Sequence, residues 1–224
     1  MTNVKISASI IAADLRNIEK TVKQLERAGV NFIHIDTMDG HFFDYIGLGP
    51  HVIKAVKQSS NIPVEVHLAV LDVERLLKIF LETRVNLISV QLEVCKFPLR
   101  VIRRIKSRGI RAGVALLPST PLIQIADLID YVDEILLLSN NDSAFIHWED
   151  SEFLPETLDR IRELKRIIGP RKIEIAVDGG LRPELLNDLI KAGATVLVMG
   201  RSIFEGDIEE NVRKIKEIIE EAVG

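Results

Sequence analysis

Cysteine is nearly missing from this 224-residue chain: Cys95 stands alone. No internal disulfide can form, which favours a reducing compartment. The single thiol is expected to serve as a small buried hydrophobe. No apolar run approaches the ~20 residues that a membrane-spanning helix needs. The opening MTNVKISASI carries neither the apolar core nor the cleavage pattern of a secretory leader. Together these absences predict a cytoplasmic protein with no membrane partner. Basic residues form no long block and the formal net charge is -4, which argues against nucleic acid as the main partner. No G-x-G-x-x-G follows the first strand-like run, so nothing supports dinucleotide binding.

What is present is a regular alternation. Apolar residues make up 47% and charged residues 28%, the balance of a globular protein, and the length suits one domain over residues 1–224. Short β-branched runs fall at Val4–Ile10, Asn31–Asp36, Val64–His67, Asn86–Gln91, Ala112–Leu116, Glu134–Leu138, Lys172–Val177 and Thr195–Met199. They read as continuous rather than alternating, as expected of parallel strands covered on both faces. Between them lie helical patterns, marked first by Leu15, Ile18, Val22 and Leu25 and last by Ile208, Val212, Ile215 and Ile219. Asp72, Thr120 and Asp207 are candidate helix N-caps, and Gly29, Gly109 and Gly193 candidate C-terminal stops. Pro98, Pro121, Pro155 and Pro183 sit where first turns would begin. Eight such units without a linker predict an α/β fold, a single-domain (β/α)8 TIM barrel. A doubly wound open sheet is the runner-up.

Chemistry in such barrels sits at the C-terminal ends of the strands, which narrows the search to eight short places. Found there are Ser9, His34 with Asp36, His67, Gln91 with Glu93, and Asp178, while Gly200 and Arg201 follow the eighth run. His34 and Asp36, two residues apart, project to the same side of one strand. Two imidazoles and two carboxylates suit one divalent ion, such as Zn2+, Mn2+, Co2+ or Fe2+. Taken singly, each His reads equally well as a core residue and each Asp as a helix cap. Four of them together at catalytic-end positions point to a site.

The segment IHIDTMDGHF (Ile33 to Phe42) resembles the signature of ribulose-phosphate 3-epimerases. EVHL (Glu65 to Leu68), VDGGLRP (Val177 to Pro183), the AGATVLVMGRSIF run (Ala192 to Phe204) and the opening SASIIAADL follow the same family in order. The resemblance implies that His34, Asp36, His67 and Asp178 bind the metal. It also implies that Asp36 and Asp178 act as paired acid and base, inverting carbon 3 of a ketose phosphate through an enediolate. Ser9, Met38, His67, Gly179, Gly180, Gly200 and Arg201 become the expected substrate contacts, the glycines and Arg201 gripping the phosphate. His41 lies in the same motif but is not a family ligand, and is expected either to support the ligands from outside or to be structural. The partner implied is a small sugar phosphate, and the family suggests a homo-oligomer.

The chain also departs from that family. A glycine-rich loop normally follows the sixth strand, whereas SNNDSAFIHWEDSEF (Ser139 to Phe153) contains no glycine, and His147 and Trp148 stand in its middle as a lid, an interface or a surface loop. Family methionines become Ala69 and Leu138, and a family histidine on the fourth strand becomes Gln91. D-ribulose 5-phosphate is the default substrate under this reading. A different ketose phosphate, such as a hexulose 6-phosphate, is the alternative, and a non-catalytic metal-binding barrel is a third. A lyase resembling hexulose-phosphate synthase or orotidylate decarboxylase fits poorly, because those carry Asp-x-Lys where this chain has His34-x-Asp36.

Overall fold

Eight strands pair in parallel, each with its neighbour in sequence, and the last closes on the first in a computed structural model that describes residues 4–140 and 152–224. They are β1 (Lys5–Ser9), β2 (Phe32–Met38), β3 (Val64–Ala69), β4 (Leu87–Gln91), β5 (Arg111–Leu116), β6 (Glu134–Leu138), β7 (Glu174–Asp178) and β8 (Val196–Met199). The helices are α1 (Ile18–Ala28), α2 (Pro50–Ser59), α3 (Val73–Glu82), α4 (Pro98–Lys106), α5 (Thr157–Ile168), α6 (Leu186–Ala192), α7 (Arg201–Phe204) and α8 (Ile208–Val223). The expected single-domain TIM barrel is what forms. Among the described residues, no helix is long and apolar enough to cross a membrane.

Local chemistry accounts for most of the boundaries. Asp72 and Asp207 cap α3 and α8 by accepting the backbone N–H of Arg75 and Glu210. Gly29 closes α1 in the left-handed region, at φ 71°, and Gly193 closes α6. Pro98 opens α4, and Pro183 opens the 3-10 turn Pro183–Leu185 that leads into α6. Gly109 lies beyond the end of α4 and closes a turn onto the Lys106 carbonyl. Pro155 stands in the turn before α5.

Three expectations need correction. Leu15 belongs to a separate 3-10 turn, Leu15–Asn17, and is exposed, so α1 begins at Ile18. The unit after β5 has no α-helix and makes only the 3-10 turn Leu122–Ile125. Thr120 caps nothing there. Its hydroxyl is drawn to Glu93, a tertiary partner invisible to a local reading, and Pro121 takes the cap position.

The strands alternate more than their sequences suggested. One face of each strand contributes to the large apolar cluster shared with the helices, through residues such as Ile33, Ile35, Val66, Ile88, Val90, Ile135, Leu137, Val177 and Leu197. The residues between them point to the barrel axis, where period 2 places Lys5, Ser7 and Ser9 on β1 and Glu65 and His67 on β3. A smaller apolar cluster (Met38, Ala69, Leu136, Leu138, Ala176 and Val198 among others) shares this inner face. The outer face is oily, and much of the inner face is polar.

Candidate metal centre

Strand register brings the four candidate ligands to one place. Asp36 on β2 pairs with His67 on β3, and Ser9 on β1 pairs with His34. β2 continues to Met38, two residues past Asp36, and the following loop folds back onto it. Leu48 N–H donates to the Asp36 carbonyl at 2.8 Å and Gly47 N–H to that of Met38 at 3.0 Å. A Cβ on Gly47 would lie 2.5 Å from the Asp36 carbonyl oxygen, so only glycine allows this approach.

His34, Asp36, His67 and Asp178 each offer one ligand atom, and these four atoms lie within 4.8 Å of one another. His34 Nε2 is 3.2 Å from Asp36 Oδ1 and 3.8 Å from Asp178 Oδ2, and His67 Nδ1 is 3.2 Å from Asp36 Oδ1. His34, Asp36 and His67 are buried, while the Asp178 side chain keeps 18% exposure, towards the cavity it lines. Buried, closely spaced nitrogens and carboxylate oxygens in this ratio match the donor set of a divalent transition ion. The far sides of both imidazoles are engaged: His34 Nδ1 is 2.8 Å from Glu65 Oε1, and His67 Nε2 is 2.7 Å from Gln91 Oε1. Such outer partners orient metal-binding histidines.

Charge crowding divides the two aspartates. Burial penalises the Asp36 carboxylate, but His34 and His67 beside it hold the group well below the usual carboxylate range. Burial and the negative charge of Asp36 push Asp178 up to about 7. Burial also disfavours a charged His34, yet Asp36 and Glu65 raise it well above the ordinary imidazole value. Two neighbouring carboxylates with affinities pushed apart are a recurring arrangement for proton exchange.

The site opens into a cavity of about 440 Å3 lined by Ser9, Asp36, Tyr45, Asn140, Asp178, Gly179, Gly180, Gly200 and Arg201, among others. Most of the expected substrate contacts therefore share one wall. Ser9 does not bond to local backbone: its hydroxyl donates to Asp36 Oδ2 at 2.9 Å. Gly179 and Gly180 both have positive φ, 120° and 66°, and a Cβ on Gly179 would collide with the Asn140 side chain. Instead of opening a helix directly, the two glycines lead into the Pro183–Leu185 turn. Gly200 immediately precedes the four-residue α7. Met38 is buried in the smaller apolar cluster and is not among the cavity-lining residues. His41 is exposed and bonds to Asp39, away from the four ligands. Cys95 is buried, and burial pushes its thiol up to about 12. His147 and Trp148 lie outside the described residues.

Glu65 and Glu134 were not anticipated. Both are buried on the inner face, Glu65 accepting from the Ser7 hydroxyl at 2.5 Å and Glu134 from that of Ser89 at 2.8 Å. The available signal was parity, since Glu65 stands two residues before His67 and must share its face. Tyr45 and Asn140 carried no such signal, because loops bring them to the cavity.

The family model for the ribulose-phosphate 3 epimerase family matches residues 5–204. The chain is 33% identical to the ribulose-phosphate 3-epimerase of Bacillus subtilis (strain 168) over 217 residues, covering 95% of this chain and 98% of that one. It is 38% identical to the ribulose-phosphate 3-epimerase of Methanocaldococcus jannaschii over 223 residues, covering 98% and 93%. Among solved structures it is similar to 3-hexulose-6-phosphate synthase from Salmonella typhimurium, with a TM-score of 0.74 at 18% identity, covering 98% and 100%. That last likeness is one of fold alone. Sequence identity along nearly the whole chain and the family match agree: the chain belongs to the ribulose-phosphate 3-epimerase family.

Proposed function

We propose that this protein is a metal-dependent epimerase that inverts carbon 3 of a ketose phosphate, with D-ribulose 5-phosphate to D-xylulose 5-phosphate as the default reaction. The observation that carries the reading is the meeting of Asp36 and Asp178 with two buried imidazoles at the mouth of one cavity. His34 Nε2, His67 Nδ1 and one oxygen from each aspartate would hold the ion. A bound divalent ion would supply Lewis-acid polarisation of the sugar carbonyl.

The remaining steps belong to the chain's own side chains. One aspartate removes the proton on carbon 3, leaving a planar enediolate, and the other returns a proton to the opposite face. Inversion demands two such groups, and β2 and β7 deliver one each. The Ser9 hydroxyl, bonded to Asp36 Oδ2, limits the rotation of that carboxylate and lines the cavity beside the substrate. Backbone amides around Gly179, Gly180 and Gly200, with the Arg201 guanidinium, grip the phosphate at the far end. Met38 and His67 do not line the cavity and act from behind its wall, His67 as a ligand to the ion. The working form is a cytoplasmic homo-oligomer.

A hexulose 6-phosphate is a second reading for the substrate. It is favoured by small or reshaped positions on the inner face, where Ala69 and Leu138 replace the methionines of the family pattern. Exchange of the C3 proton with solvent deuterium, followed over a panel of ketose phosphates, tests both. Exchange with ribulose 5-phosphate supports the default, and exchange only with a longer sugar supports the alternative. No exchange with any ketose, phosphorylated or free, would overturn the epimerase reading.

A further inference from the structure

Histidine can meet an ion through either ring nitrogen, and the proton's position on the neutral ring decides which. For His67 that position can be traced outward through three groups whose hydrogen-bond polarity is not free to reverse. The chain of contacts begins at Glu93, in the 3-10 turn Leu92–Val94 that follows β4.

Glu93 Oε1 accepts the backbone N–H of Leu117 at 2.8 Å and the hydroxyl of Thr120. Both donors sit in the connection after β5. Arg160 of α5 pins that connection by donating from Nη2 to the carbonyls of Leu117, at 3.2 Å, and Thr120, at 2.9 Å. A backbone N–H can only donate, so Oε1 is fixed as an acceptor. The other oxygen, Oε2, lies 2.5 Å from the Gln91 side-chain amide. A carboxylate has no hydrogen to give, so the group facing it must be the Gln91 NH2. That settles which way the amide points, and its oxygen then faces His67 Nε2 at 2.7 Å. An amide oxygen only accepts, so the ring proton sits on Nε2. Nδ1 is then the nitrogen left for the ion, 3.2 Å from Asp36 Oδ1 and among the other three ligand atoms. Any proton it shares with that carboxylate is the one an ion displaces.

We propose that Glu93, acting through the Gln91 amide, is a positioning residue that selects Nδ1 of His67 as the metal-binding nitrogen. Neither Gln91 nor Glu93 is among the four candidate ligands. The proposal rests on the metal site of the preceding section and adds to it a dependence of ion affinity on a carboxylate two bonds removed. His34 needs no such relay, because Glu65 accepts from its Nδ1 directly and leaves Nε2 for the ion.

Two isosteric variants of the full chain test the polarity of these hydrogen bonds. In Glu93→Gln, the new carbonyl oxygen takes over the Leu117 and Thr120 donors and the new NH2 faces Gln91. The Gln91 amide must then turn over and present its own NH2 to His67, driving the ring proton to Nδ1. Adding Gln91→Glu restores an acceptor towards His67 and gives the amide at position 93 an acceptor of its own. Two readouts are used: Zn2+ and Co2+ affinity by competition with a chelator, and the His67 tautomer in metal-free protein by 15N–1H correlation at mildly alkaline pH.

Glu93→Gln is expected to weaken ion binding roughly 10–100-fold, the usual cost of losing such an outer partner, and to move the His67 proton to Nδ1. The double variant is expected to regain both the wild-type affinity and the Nε2–H form. A role in packing alone would leave single and double variants alike. Wild-type affinity in Glu93→Gln, a double variant no better than the single, or a wild-type His67 ring with no proton on Nε2 would each overturn the proposal. The wild-type measurement decides even if a variant fails to fold. A wild-type chain that binds no divalent ion would instead sink the metal reading, with the tautomer still judging the relay.

Discussion

The two ends of the barrel axis handle charge in opposite ways. At the N-terminal end, Lys5 and Arg111 flank Glu174, and Lys5 also lies over the Phe32 ring, 5.4 Å from its centroid. Cations and carboxylate there satisfy one another, and the cluster reads as a closure for the barrel floor. At the C-terminal end, Asp36 and Asp178 share one small space with His34 and His67, and Asp178 is pushed up to about 7. Between the two lies Glu134, whose second carboxylate oxygen is buried without a partner, as is that of Glu65. The difference teaches where each kind of residue belongs. Balanced charges hold the inner face together, and crowded ones mark the candidate metal site.

The largest expected effect tests the crowded end. Asp178→Asn should lower epimerisation roughly 10²–10⁴-fold, the range for losing a general acid or base, without loss of thermal stability. Turnover close to wild type would remove Asp178 from the proton-transfer pair. Prolonged dialysis against a strong chelator should abolish turnover as fully, and added divalent ion should restore it. Unchanged activity in protein shown to be metal-free by elemental analysis would contradict the proposed dependence.

The middle of the axis should respond through stability. Burial, then the neighbouring Glu65 charge, push Glu134 up to about 8, with Glu174 adding to the rise and the Ser89 hydroxyl and His34 opposing it. Arg111 also lies within electrostatic reach. The folded state therefore binds a proton more tightly than the unfolded chain. That stabilisation is complete below the ordinary glutamate value and is lost as pH rises through about 8. Replacing Glu134 with Gln should flatten this loss, which is on the order of 4 kcal/mol across the window. Denaturant melts at several pH values would show it, and parallel pH profiles for the two proteins would count against a neutral Glu134.

At the balanced end, Lys5→Met should cost about 1–3 kcal/mol of stability and leave turnover per folded molecule unchanged. A large drop in kcat would mean that the two ends are coupled. The smallest effect is expected at Cys95, whose buried thiol should resist an aromatic disulfide reagent until the chain is unfolded.

Much of this arrangement was legible in the chain. The repeated β-branched runs and helical patterns forecast the barrel, because parallel strands covered by helices require buried side chains at nearly every position. The rule that chemistry gathers at strand C-termini then singled out His34, Asp36, His67 and Asp178 before any coordinates. The failures were tertiary. Leu15 fitted the period of α1 but lies outside it, and Thr120 had the chemistry of a cap but bonds to Glu93 instead. Glu65 and Glu134 were hidden for a related reason: a charged residue inside a strand reads as an interruption until closure of the sheet shows which face is the axis.

By itself, the order of residues determined the eight-unit fold, the identity of four metal-type side chains and the membership of the family. Periodicity and side-chain chemistry are local properties and can be read without coordinates. The tertiary structure decided that these side chains meet within 4.8 Å. It decided as well that Ser9 serves Asp36 and that Glu93 reaches His67 through Gln91. Those outcomes depend on strand register and barrel closure, which place residues far apart in sequence within hydrogen-bond distance.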